Sequence, residues 1–218
     1  MNYSSACQYS TRLIDKLKAL DNEDKLDYDL INTAIFWAKK YHNGQFRKSG
    51  EPFYSHPIEV AYMVSDFTLK TDIIVTSILH DIVEDTEVTA GMILDVFGRR
   101  IEEMVDLLTR DRTDGSKFTV QEILNNAYGK GDKEVLLIKC IDRLHNMQTI
   151  GAKAPEKIAK TVKETLNSFL TVTTYLGLLQ IEQKIVDNCL DYTSKNNVLS
   201  DEELGFSFNE CFSPLSLI

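Results

Sequence analysis

"TDIIVTSILHDIVEDT", residues 71–86, is the stretch on which the fold reading turns. Its first half, "DIIVTSIL", is β-branched enough to pass for a strand. Apolar residues nevertheless continue beyond it at helical spacing, with Val75, Ile78, Leu79, Ile82 and Val83 on one side. One helix over 71–85 is therefore expected. Successive helical residues turn by about 100°, which gathers His80, Asp81, Glu84 and Asp85 into a sector of about 140°. A solvated acidic face would look the same. The His-Asp dipeptide inside an apolar run argues for more. An imidazole and the carboxylate beside it can both reach one divalent cation, and two carboxylates one turn on can act on water held there.

Helical periodicity extends outward in both directions, at 9–20, 28–42, about 57–66, 89–96, 99–109, 118–129, 132–149, 155–176 and 178–192. Leu13, Leu17 and Leu20 share a stripe in the first of these. Pro57 marks a helix start just after His56, Thr89 is an N-cap candidate, and Gly98 separates two helices. "NGQFRKSGEPFYSH", 43–56, reads as a loop. No segment sustains period-two alternation, so the fold class is all-α, a compact multi-helix domain. One domain is expected over 1–218, with an N-terminal helix within 1–27 and a tail over 191–218. The weakly periodic end, 195–218, suggests a last short helix and a loose end.

A metal needs further ligands, and two segments offer them. Asp142 lies among Leu136, Leu137, Ile138, Ile141 and Leu144, where a carboxylate is costly unless paired or metal-bound. An ion pair with Lys139 or Arg143 is the competing explanation. Asn146 and Thr149 share its helical face. His56, before a proline, is by itself as well explained as a cap or surface group. Together, His56, His80, Asp81 and Asp142 make a set of two nitrogen and two oxygen donors without thiolate. That set suits Mn²⁺, Fe²⁺ or a catalytic site with open water positions better than structural zinc. His42 ends a helix, where a cation suits the dipole. His145 fits a supporting role better than that of a ligand.

Bulk properties narrow the function. A net charge of −9 over 218 residues disfavours nucleic acid as a partner, because phosphate binding needs a basic face. An anionic substrate would need local positive charge, and Arg47-Lys48 between Gly44 and Gly50 provides it. That pair is either an exposed basic turn or a clamp, with Arg stacking on a base and Lys meeting phosphate. Cys7, Cys140, Cys189 and Cys211 have no paired spacing and read as reduced thiols, with Cys140 in the core. No apolar run reaches membrane-spanning length and no secretory signal opens the chain. A cytoplasmic protein without membrane attachment is expected. Oligomeric state is not legible.

"GQFRKSGEPFYSHP", "LHDIVEDT", "FGRRIEEMVDLLTR", "IKCIDRLHNMQT" and "KETL…LG" follow one another over about 28–190 in an order and spacing that resembles a known family. That family is the HD-type hydrolase domain of the RelA/SpoT enzymes, which remove pyrophosphate from the alarmone (p)ppGpp. The resemblance implies an HD-domain phosphohydrolase with its metal between helices. It implies that His56, His80, Asp81 and Asp142 hold Mn²⁺, with other divalent ions possible, and that Glu84 and Asp85 are the catalytic pair. Arg47 would pack on guanine, with Lys48 near the nucleotide and Asn146 and Thr149 at the ribose–phosphate region. The implied substrate is a small guanine nucleotide and the implied reaction is 3′-pyrophosphate hydrolysis, giving GDP or GTP. With about 28 residues after 190, synthesis is not expected, as in a stand-alone small alarmone hydrolase. Gln148, Thr171 and Tyr175 depart from the family's Arg, Pro and Arg; Arg110, Arg112 and Lys117 could compensate. Two alternatives stay open. One is a phosphatase on another phosphorylated nucleotide such as NADPH; the other is a non-catalytic nucleotide-binding or antitoxin-like protein.

Overall fold

The computed structural model describes residues 3, 5–111 and 115–196, except for the side chains of 194–196. Arg112, Cys211 and the tail expected beyond residue 196 lie outside the described residues. Among the described residues the regular structure is helical, and only two isolated β-bridges occur, Phe46 with Pro52 and Asp111 with Lys117. The all-α expectation holds. Two compact units are distinguished, Met1–Asn146 and Met147–Ile218, where the sequence suggests one domain.

The first unit is organised around α4 (Thr71–Leu79). Ile73, Ile74, Val75, Ile78 and Leu79 are fully buried, and so are Thr76 and Ser77. A helix that is apolar on every side must be wrapped by others. Here α2 (Tyr28–Tyr41), α3 (Ser55–Val64) and α7 (Arg99–Leu108) pack against it. The Ser77 hydroxyl keeps its burial affordable by donating to the Ile73 carbonyl at 2.8 Å. α1 (Gln8–Leu20) covers α3 with Leu13 and Leu17, while Leu20, expected on the same stripe, is exposed at the helix end. α6 (Ala90–Phe97) packs on α7, and α7 on α8 (Val120–Gly129). α9 (Lys133–Gln148) buries Val135, Leu136, Ile138, Cys140, Ile141 and Leu144. Cys140 is a core residue as expected, its thiol pushed up to about 12 by burial.

Local chemistry sets the helix ends. Thr89 accepts from the Met92 amide at 3.3 Å, the N-cap its position suggested. Thr119 and Glu122 form a capping box at α8. Gly98, at φ +83°, turns the chain between α6 and α7 in a conformation that L side chains rarely adopt. α3 begins at Ser55, two residues before the proline that was expected to open it. Pro57 is still in the first turn, where its missing N–H has no intrahelical partner to lose.

The single helix expected over 71–85 is not one helix. α4 stops at Leu79; His80 (φ −60°, ψ −28°) and Asp81 (φ −103°, ψ −4°) form a turn; and α5 (Ile82–Asp85) follows as one short helical turn. The Ser77 carbonyl, which an unbroken helix would offer to the Asp81 amide, accepts from His80 Nδ1 at 2.8 Å. The side chain thus competes with the helical ladder at the point of the break.

In the second unit a 3₁₀ turn, Ile150–Ala152, leads to α10 (Pro155–Leu176), which packs on α11 (Leu179–Asn196). Phe169, Ile181, Ile185 and Cys189 are buried there. Gly177 ends α10 in the left-handed conformation. No helix of the described residues is long and apolar enough to cross a membrane.

Because α4 is walled in by three helices, truncating it leaves a cavity that neighbours cannot fill. Ile74→Ala is expected to cost about 2–5 kcal/mol of unfolding free energy, read as a lowered urea midpoint at unchanged slope.

Candidate metal centre

Three elements converge on one buried point. The first turn of α3 supplies His56, the break after α4 supplies His80 and Asp81, and α9 supplies Asp142. His56 Nε2 lies 3.1 Å from Asp142 Oδ1 and 3.4 Å from Asp81 Oδ2. His80 Nε2 lies 3.2 Å from Asp81 Oδ2 and 3.7 Å from Asp142 Oδ1. One donor atom each from His56, His80 and Asp142 falls within 4.8 Å of the others. His56, His80 and Asp142 are 2%, 1% and 6% exposed, so these are donors withdrawn from water.

The hydrogen-bond pattern shows which atoms are available. His80 Nδ1 is committed to the Ser77 carbonyl, so it carries a ring proton, and Nε2 is the nitrogen that faces Asp81 and Asp142. Burial opposes a charge on this ring, but the two carboxylates raise it to about 10, so a cation bound there would displace the Nε2 proton. That Nε2 is buried and makes no hydrogen bond among the described residues. A buried ring nitrogen without a hydrogen bond, set between two carboxylates, fits a cation. His56 Nδ1 meets His145 Nδ1 at 2.8 Å. Burial, with the positive Arg47 also nearby, lowers His145 to about 3, so it is neutral. It can then accept from His56 Nδ1, which leaves His56 Nε2 as the atom turned toward the carboxylates.

Asp142 is both things that the sequence left open. Its Oδ2 accepts from Lys139 Nζ at 3.1 Å, the ion pair weighed as a competing explanation, while Oδ1 faces the histidines and accepts from Asn146 Nδ2 at 2.6 Å. Burial opposes the charged carboxylate, but Lys139 and the two histidines hold its pKa well below the usual range. Lys139 is itself buried; burial would lower its pKa, yet Asp142 and Asp81 carry it upward, so it remains a cation. Asp81 is likewise lowered, with burial outweighed by His80 and His56.

Glu84 and Asp85 stand one turn beyond Asp81 on α5. The Glu84 carboxylate accepts the Arg110 main-chain N–H at 3.2 Å. Asp85 is at the solvent edge, yet partial withdrawal from water and the negative Asp81 and Glu84 raise its carboxyl to about 6. A carboxyl raised into this range can hold and release a proton near neutrality.

The basic loop reaches the same region. Arg47 Nη2 donates to Asn146 Oδ1 at 3.2 Å, so Asn146 bridges Arg47 to Asp142. A tight turn presents this loop, with the Arg47 amide on the Glu51 carbonyl at 2.9 Å and Gly50 at φ +99°. Lys48 is exposed. Thr149 falls in the second unit, with Gln148, Thr171 and Tyr175. Arg110 Nε donates to the Phe118 carbonyl and Lys117 pairs with Asp111 at 2.8 Å. Sequence reasoning weighs Lys139 only as a rival to a metal at Asp142 and misses Gln45 altogether. It also read His42 as a charged helix end. His42 is 1% exposed, and burial lowers its pKa, so it is a neutral buried ring.

Known proteins are similar to this chain over most of its length. A family model described as "HD domain" matches residues 34–179. The guanosine-3′,5′-bis(diphosphate) 3′-pyrophosphohydrolase of Haemophilus influenzae is 36% identical over 157 residues, covering 69% of this chain and 23% of that protein. A GTP pyrophosphokinase of Myxococcus xanthus is 34% identical over 178 residues, covering 76% of this chain and 23% of its own length. The chain thus spans about a quarter of the length of the curated relatives it matches. A solved metazoan ortholog of SpoT, described as hydrolysing ppGpp, superposes with a TM-score of 0.52 at 20% identity, covering 78% of this chain and 97% of that one, which shows a common fold. These are the enzymes that the sequence motifs resemble, and buried histidines and aspartates gathered between helices are what HD domains use to bind divalent metals. The chain belongs to the HD domain family.

Proposed function

We propose that this chain hydrolyses the 3′-diphosphate of (p)ppGpp, releasing pyrophosphate and GDP or GTP, with Mn²⁺ held by His56, His80, Asp81 and Asp142. One observation carries the reading: two histidine Nε2 atoms and two aspartate carboxylates converge in a buried centre, with Glu84 and Asp85 one turn away. The names of the relatives support the substrate assignment.

When bound, the divalent ion supplies Lewis acidity toward a phosphoryl oxygen and lowers the pKa of water. The protein's residues do the rest. Asp142, anchored by Lys139 and Asn146, and Asp81 supply the negative charge that retains a cation. His56 and His80 would supply nitrogen donors through Nε2 once a bound cation displaces any proton there, each ring oriented by the bond at its other nitrogen. The Glu84–Asp85 pair takes the proton as water attacks the 3′-bound phosphorus and returns one to the departing 3′-oxygen. Arg47 meets the guanine face, Lys48 a phosphate, and Asn146 and Thr149 the ribose–phosphate region. An acidic chain thereby receives an anion through local positive charge.

Purified protein incubated with Mn²⁺ and ppGpp, pppGpp or NADPH, with products separated by chromatography, tests the reading. Pyrophosphate with GDP or GTP is expected. Free phosphate from NADPH would instead move the substrate to another phosphorylated nucleotide, and no turnover with any divalent metal would leave a nucleotide-binding protein. Asp81→Ala is expected to lose metal in a calorimetric titration. Glu84→Gln should keep it while turnover falls about 10²-fold or more. Wild-type rate in Glu84→Gln would remove Glu84 from the chemistry.

Asp85 ties the reaction to pH. Its raised pKa, about 6, means that the carboxylate forms as pH rises through that value. The rate is expected to fall as pH drops below about 6, and a profile flat to pH 5 would exclude Asp85 as the base. The orienting role of His145 is tested separately: His145→Phe removes the acceptor for His56 Nδ1–H and is expected to weaken metal binding by about 10–100-fold in the same titration.

A further inference from the structure

α5 has only four residues, so its terminal carbonyls have no helical partners. One of them is met from a distant part of the chain. Gln45 Nε2, in the loop after α2, donates to the Asp85 main-chain carbonyl at 2.8 Å. The Glu84–Asp85 turn is thus held at both residues by different segments, the Arg110 N–H after α7 on the Glu84 carboxylate and Gln45 of the loop after α2 on the Asp85 carbonyl.

The direction of this second tie is not arbitrary. A main-chain carbonyl only accepts, so the NH₂ end of the Gln45 amide must face Asp85. Its Oε1 then faces His42 Nδ1 at 2.9 Å, and an amide oxygen only accepts, so His42 Nδ1 carries the ring proton. His42 is in turn held rigidly. It caps α2, is 1% exposed, and its ring lies 4.8 Å from that of Phe53. The Gln45 backbone is fixed at both ends, its N–H on the His42 carbonyl at 3.1 Å and its carbonyl accepting the Phe53 N–H at 3.0 Å. A buried ring thus orients a partly exposed amide, and the amide holds a carbonyl of the short turn that carries both acidic residues.

We infer that His42 and Gln45 are positioning residues that fix the Glu84–Asp85 turn, acting on turnover in the reaction proposed above and not on retention of the metal or the nucleotide. The inference depends on that reading for its kinetic consequence alone. The turn has its own apolar anchors, Ile82 at 1% and Val88 at 2% exposure, so losing the tie frees the turn's last carbonyl without exposing core.

Gln45→Met keeps the side chain's length and removes both amide ends. It is expected to lower kcat at least tenfold on the nucleotide substrate, with KM and calorimetric Mn²⁺ affinity within twofold of wild type. Hydrogen exchange should accelerate at least fivefold at amides 84–88 and stay unchanged in α4. Gln45→Glu, which retains the acceptor for His42 and loses the donor to Asp85, should behave like Gln45→Met. ¹⁵N spectra of the histidines should show His42 with its proton on Nδ1 in the wild type. Unchanged kcat in both variants, a parallel loss of metal affinity, or a His42 proton on Nε2 would overturn the inference. If the wild-type protein turns over none of the nucleotides, the proposed reaction fails. The exchange and ¹⁵N measurements then decide the tie between His42, Gln45 and Asp85 by themselves.

Discussion

The rest of the centre depends on a buried negative charge. Asp142 sits at 6% exposure in a helix whose other buried positions, Lys139 apart, are apolar, and there an uncompensated carboxylate would be driven to take up a proton. Every feature around it supplies compensation. Lys139 one turn back supplies a full positive charge, Asn146 one turn on supplies an N–H, and His56 meets Oδ1 from α3. With Asp81 added, the centre holds two carboxylates facing two imidazoles. A divalent cation would complete that arrangement, since His56, His80 and Asp142 each offer a donor atom to one point and His80 Nε2 has no hydrogen bond.

The α4 core explains how such a centre is held still. Its fully buried apolar faces leave the helix no freedom to slide, so His80 at its end has a fixed address. The break after Leu79 then turns the chain so that His80 points inward while Asp85, five residues on, reaches the solvent edge. An unbroken helix would have placed the four ionisable groups on one stripe at one depth. The break separates them by burial: two beside the metal position, two nearer to water, where protons are exchanged. It also distinguishes the proton affinities of Asp81 and Asp85, since Asp81 faces two histidines and is lowered against burial, while Asp85, partly withdrawn from water and beside two carboxylates, is raised.

Much of this was legible in the sequence because it is local. The helical repeat over 71–79, the Thr89 cap, the Gly98 turn and the core position of Cys140 follow from spacing and residue type alone. The candidate donors were found the same way, as ionisable groups standing where apolar residues are expected. His56 was the weak member, because a histidine before a proline has many local uses. Only its approach to Asp142, 86 positions away, distinguishes it. Lys139 was read as a rival explanation for Asp142, and the structure shows that one carboxylate serves both purposes through its two oxygens. His42 was misjudged because helix-end position says nothing of burial, and burial is what makes it neutral.

By itself, then, the sequence determined the helical class, the core of α4 and the donor types, each carried by residues within one or two turns of one another, and the family, carried by short local motifs in a fixed order along the chain. Tertiary structure decided the break at His80–Asp81, the pairing of His56 with His145, and the reach of Gln45 to the end of α5. Those contacts join residues 40 or more positions apart, or arise where a side chain outcompetes a backbone bond, and neither leaves a periodic signal. A short helix must find partners for its terminal carbonyls and a buried imidazole a partner for its ring proton. Which groups answer those demands is set by packing, not by the order of residues along the chain.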